Sequence, residues 1–161
     1  MPAATDTKPW HPGGMSASTR WDDVRTRLVD ELAALDDGQS LVLSEPDRAA
    51  PPPRRRWFGL GRGSRPAASA GRYVQASRLG EDLLCESVSA AYADLTPEQT
   101  AALQSQGWSD PEEQPQGVTS ENHVYVGRVE DPADSADMLL GALRALGTGV
   151  PDARWRWDRV A

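Results

Sequence analysis

Eight arginines and no acid lie between Arg48 and Arg78, in a chain whose net charge is −7, so the remaining residues hold −15. Guanidinium groups grip phosphates and carboxylates through paired N–H donors. Arg54, Arg55, Arg56, Arg62 and Arg65 therefore form a candidate anion-binding arm for nucleic acid, lipid head groups or an acidic partner. A solvated loop accounts for the same residues more simply. Arg55-Arg56-Trp57-Phe58 matches part of a twin-arginine export signal, but it sits mid-chain with no apolar stretch after it. Gly59-Leu60-Gly61-Arg62-Gly63-Ser64 has the glycines of a phosphate loop. It lacks a preceding strand, a following helix pattern and the Gly-Lys-Ser/Thr sequence such loops use.

Nucleophilic and metal chemistry find little to work with. His11 and His123 are the only histidines, and no Cys or second His lies near either in sequence, so a zinc site lacks ligands. The lone Cys85 falls within a strand-like run and reads as a small buried hydrophobe; a single cysteine also excludes an internal disulfide. There is no Gly-x-Ser-x-Gly elbow. Glu112, Glu113, Asp131, Asp134 and Asp137 are scattered over loops and helix starts, where capping and solvation explain them. No catalytic residue, metal site or cofactor is expected.

Six Trp against one Phe is the remaining chemical signal. Trp21 and Trp108 occupy positions expected of core residues. Trp155 and Trp157 alternate with arginines from Ala153 to Asp158, so one face of a terminal strand would be indole and the other guanidinium. Such a face suits peptide binding or a dimer seam. Covering the edge of the core is the plainer role.

These groups must be positioned by a modest fold. At 161 residues the chain fits one domain. We expect a disordered lead-in at 1–17 and a single domain over 18–161, interrupted by a disordered Arg/Pro/Gly-rich insertion at 46–71. The net negative charge argues against general nucleic-acid binding. No stretch approaches the ~18 apolar residues of a membrane span. The start of the chain has no apolar core of a signal peptide, so a reducing cytoplasm is the expected setting. Of 17 basic residues all but Lys8 are Arg, which fits a GC-rich bacterial genome.

Periodicity supplies the elements. Trp21, Val24, Leu28, Leu32 and Leu35 recur at helical spacing, with Thr19 as cap, Asp22 completing its box and Asp36-Asp37-Gly38 as stop. Ser40–Ser44, Arg72–Leu79 and Leu83–Val88 read as strands, the last extending as far as Tyr92. Gly80-Glu81-Asp82 serves as a hairpin turn. Thr96, Pro97 and Gln99 open a helix that Gly107 closes before Trp108. After a polar loop at 109–121, Asn122–Val129 is a strand with Val124 and Val126 on one side and His123, Tyr125 and Gly127 on the other. Asp131 caps a last helix with a stripe of Ala136, Leu139, Leu140, Leu143 and Leu146. The fold class is α+β: an antiparallel sheet of 4–5 strands packed against helices, in the order α-β-β-β-α-β-α(-β).

Several of these features together carry a family likeness. They are the Trp-led first helix, the Leu41–Leu43 strand, Arg72-Tyr73-Val74-Gln75, the hairpin into Leu83–Ser87, Leu103 leading to Gly107-Trp108, and the Leu-rich run from Leu139 to Gly147. Over residues 18–45 and 72–157 the chain resembles actinobacterial proteins with a peptide-binding-chaperone domain related to type III secretion chaperones and YbjN. The Arg-rich insertion departs from that pattern. The resemblance implies a sheet with helices on one side, no enzyme activity, possible homodimers, and no catalytic residues to carry over. The expected function is thus a non-enzymatic peptide- or protein-binding module that captures an apolar or extended segment, with Tyr73, Tyr125, Trp155 and Trp157 as contacts. The alternative is an electrostatic adaptor acting through the Arg arm on nucleic acid or an anionic surface.

Overall fold

The computed structural model describes residues 20–46 and 71–161. The expected lead-in at 1–17, Thr19 and nearly all of the 46–71 insertion lie outside these residues. Eight elements follow one another: α1 (Trp21–Ala33), β1 (Ser40–Ser44), β2 (Tyr73–Leu79), β3 (Asp82–Ser87), α2 (Pro97–Ser105), β4 (His123–Arg128), α3 (Pro132–Ala145) and β5 (Arg156–Val160). The strands form one antiparallel sheet in the order β4-β3-β2-β1-β5. The α+β class and element order are those read from the sequence, and the terminal strand is real.

Register sorts the sheet into two faces, because neighbouring side chains on a strand point in opposite directions. Arg159, Leu41, Ala76, Cys85 and Tyr125 form one cross-strand row, and Trp157, Leu43, Val74, Ser87 and His123 the next. Helices α1 and α3 cover this face, and α2 packs on α3. Leu28, Leu32 and Leu35 meet Leu139, Leu140, Leu143 and Leu146 there, all at most 1% exposed. Burying each such side chain contributes about 1.5–3 kcal/mol. The opposite face carries Asp158, Val42, Gln75, Glu86 and Val124 in one row, then Val160, Ser40, Ser77, Leu84 and Val126 in another. Val124 and Val126 thus lie opposite His123, Tyr125 and Gly127, as their alternation requires.

Helix ends explain much of the local structure. In α2, Thr96 Oγ1 accepts from the Gln99 N–H while Gln99 Oε1 accepts from the Thr96 N–H, a reciprocal capping box. At its other end Gly107 takes φ 96°. The Gly107 N–H donates to the Gln104 carbonyl and the Trp108 N–H to the Leu103 carbonyl. These two bonds form a Schellman motif, and the accompanying apolar contact is the burial of Trp108 with Leu103 in the core. The Gly-Trp stop is therefore a helix cap and a core anchor at once. Gly147 closes α3 the same way, with Gly147 N–H on Arg144 and Thr148 N–H on Leu143.

Several boundaries differ from expectation. α1 is capped at Arg20, whose backbone N–H donates to Asp23 Oδ2 at 3.1 Å, so Asp23 rather than Asp22 occupies the third helical position. The helix ends at Ala33 and Leu35 enters the core from the turn beyond it. β3 stops at Ser87 because Ser89 starts a turn: its carbonyl accepts from Tyr92 N–H and Ala93 N–H, and its Oγ accepts from Ala91 N–H. β5 begins at Arg156, so Trp155 precedes the strand instead of belonging to it.

Candidate functional site

The four expected contact residues do not share a surface. Tyr73 is 2% exposed, and its hydroxyl donates to Asn122 Oδ1 at 3.2 Å. Its ring belongs to the interior of the face turned away from α1 and α3, because the 109–122 loop folds over that part of the sheet. This corrects its assignment as a surface contact. Tyr125 is half-buried on the helix side, stacked at an angle on Trp108 with ring centroids 6.2 Å apart. Its hydroxyl donates to Asp134 on α3, a bond that with burial pushes the phenol pKa up to about 12. Tyr125 thus ties β4 to α3.

Trp155 and Trp157 sit together at the other edge of the sheet, four strand spacings or about 19 Å from β4. Trp157 lies under α1, with the Arg27 guanidinium 4.0 Å from its ring centroid, a cation–π contact. Next to it Arg159 donates through Nε and Nη2 to Glu31 Oε2. Trp155 is half-buried against the core margin, in a turn closed by its N–H on the Asp152 carbonyl. Beyond β5 no further strand follows among the described residues. Arg54, Arg55, Arg56, Arg62 and Arg65 lie outside the described residues.

The structure adds a polar cluster that the sequence reading did not single out. Glu86 is 8% exposed. Its carboxylate accepts from Gln75 Nε2, Ser120 Oγ and Asn122 Nδ2. Gln114 completes the frame: its amide donates to the Ser120 and Asn122 carbonyls and accepts from the Ser120 N–H. Satisfied this way, a buried carboxylate is tolerated, and the loop is pinned across β3 and β2. Gln75 and Glu86 share the sheet face turned away from α1 and α3, and the loop's path covers them there.

Beside this loop a cavity of about 450 Å³ opens between residues 89–91, α2 and the 109–121 segment, with His123 in its lining. The His123 side chain is 3% exposed, next to Asp110. Burial holds its pKa below the ordinary 6.5, against the pull of Asp110. The unfolded chain takes up this proton near pH 6.5 and the folded one only lower. His123 therefore supports the fold fully above pH 6.5 and loses that support as pH falls toward the folded value. The stability advantage of the parent over His123→Asn should shrink between about pH 7.5 and about pH 5.5 in urea titrations. An unchanged difference would contradict this account.

Cys85 is fully buried and its thiol is pushed up to about 12, chiefly by desolvation, so it is not a thiolate near neutral pH. Among the described residues no three His, Cys, Asp or Glu side chains are grouped to hold a metal ion. No helix among them is long and apolar enough to cross a membrane.

With this architecture in view, comparison with known families is decisive at one level. Residues 14–153 match the T3SS (YopN, CesT) and YbjN peptide-binding chaperone 3 family, TY-Chap3. The match spans most of the chain, which therefore belongs to that family. No curated protein and no solved structure matches it.

Proposed function

We propose that this chain is a non-enzymatic, cytoplasmic chaperone-like module that holds an extended peptide or protein segment along the outer edge of β5. The observation that carries this reading is an edge strand that contains Trp157 and is preceded by Trp155 in a protein of a peptide-binding chaperone family. Edge strands offer unpaired backbone donors and acceptors that a partner strand can satisfy, while side-chain pockets beside them select sequence. Indoles contribute large rigid contact areas. The family match lends no support to the Arg-arm alternative on nucleic acid.

The test is selection from a displayed random-peptide library, followed by affinity measurement on the selected peptides. Trp157→Ala should weaken binding about tenfold, as loss of an interface aromatic does. Backbone N-methylation of alternate peptide residues should weaken it further by removing ladder hydrogen bonds. Peptides that bind equally well after both changes would place the site elsewhere, and failure to select any would remove the proposal.

A further inference from the structure

The cavity beside the 109–121 loop has a chemical bias that the edge-strand reading does not use. Asp110, Glu112 and Glu121 contribute carboxylates to its lining, and among the described residues no Lys or Arg lines it. Glu121 already accepts from the Tyr92 hydroxyl. Asp110 accepts from Gln104 through Oδ2, while its Oδ1 lies 3.2 Å from His123 Nδ1. That approach lacks hydrogen-bond geometry, so the buried Nδ1 has no hydrogen-bond partner. The imidazole is neutral near pH 7, since burial lowers its pKa, and brings no counter-charge. A neutral imidazole carries one N–H; with that proton on Nε2, Nδ1 and Asp110 Oδ1 face each other as two acceptors and call for a donor. Ala90 and Pro111 add apolar wall, the surface a methylene stem covers.

We propose that this cavity receives a lysine side chain of the bound peptide, its ammonium donating to Asp110 Oδ1 and His123 Nδ1. An ammonium is a compact charge with three donors that rotate to separate acceptors, whereas a guanidinium prefers the parallel fork of a single carboxylate. The cavity volume holds such a side chain with room for its flanking backbone. This inference deepens the peptide-binding reading and rests on it, but its location is distinct, on the β4 side of the sheet and away from β5.

The experiment is a residue-resolved NMR titration of the full chain with acetylated, amidated Ala-Ala-Lys-Ala-Ala, and with the same peptide carrying norleucine, then arginine, in place of lysine. Blocking both ends removes the α-amino group, and a free-amine norleucine peptide supplies that arm separately. The lysine peptide should shift the amides of residues 89–91, 110–112 and 120–123. Its affinity should exceed that of the norleucine peptide about tenfold or more, the worth of one charge-assisted hydrogen bond. Asp110→Asn should weaken lysine binding similarly while retaining the parent's amide fingerprint; the peptide-side substitution reads the same contact should that variant not fold. Equal binding of lysine and norleucine peptides, or tighter binding of the arginine or free-amine peptide, overturns the lysine assignment. Shifts confined to β5 overturn it while leaving the edge-strand reading intact. Shifts at neither place overturn both.

Discussion

Replacing Trp108 by Ala should cost about 3–5 kcal/mol, the usual loss for a large buried aromatic, and so a large part of the ~5–15 kcal/mol that holds a domain folded. Trp108 is 3% exposed. Its backbone N–H closes the α2 Schellman motif on the Leu103 carbonyl, and its ring supports Tyr125. The next residue, Ser109, pairs with Val124 as an extra bridge outside β4. One side chain therefore joins the end of α2, the edge of the sheet and the start of the loop that frames both the Glu86 cluster and the cavity. The indole Nε1 makes no hydrogen bond, so its removal leaves no acceptor stranded. Trp108→Phe should accordingly cost only about 1–2 kcal/mol, from lost area and packing. Urea unfolding followed by far-ultraviolet circular dichroism separates the two variants. A Trp108→Ala midpoint within experimental error of the parent would show that the Gly-Trp stop is a cap without a core role.

Local signals made most of the fold legible. The T-x-x-Q box at Thr96 and the glycines at 107 and 147 mark helix ends through backbone geometry that few other residues supply. The hairpin turn expected at Gly80-Glu81-Asp82 is a two-residue turn, Gly80-Glu81, with Gly80 at φ 63°; Asp82 already belongs to β3, and the turn sets the β2–β3 register. The α1 start was misplaced by one residue because Thr19 and Arg20 both precede the apolar stripe, and the carboxylate that reaches back is Asp23. The candidate site was less legible for a different reason. Tyr73 has the composition of a contact residue, but burial depends on what covers a sheet face, and here that cover is a loop distant in sequence. The same loop buries Gln75 and Glu86 in one cluster and brings Asp110 to His123. None of these juxtapositions follows from periodicity, which reports the face of an element and not its neighbour.

A second seam, between β4 and α3, should be nearly as sensitive as Trp108, and for a steric reason. Gly127 has an ordinary backbone conformation, so its need for glycine is one of space. A Cβ there would overlap Ser135 Oγ and stand 3.4 Å from Ser135 Cβ and 3.3 Å from Tyr125 Cε1. Ser135 is fully buried on α3, and its hydroxyl makes no regular hydrogen bond, with the Cys85 thiol as its weak polar neighbour. Gly127→Ala must push α3 away from the sheet or strain both side chains, at about 1–3 kcal/mol, the typical cost of overpacking. Ser135→Ala removes the obstructing oxygen and little else, so alone it should be close to neutral. The double variant should recover most of the loss, giving a coupling of about 1–2 kcal/mol between the two positions. If Gly127→Ala destabilises equally with and without Ser135, the constraint lies in the strand backbone and not in the helix contact. If recovery is seen, the spacing of α3 on β4 is set by the smallness of one residue on each side. Tyr125 would then hold that spacing through its bond to Asp134, and the row from His123 to Gly127 would be kept in place for the cavity at its upper end.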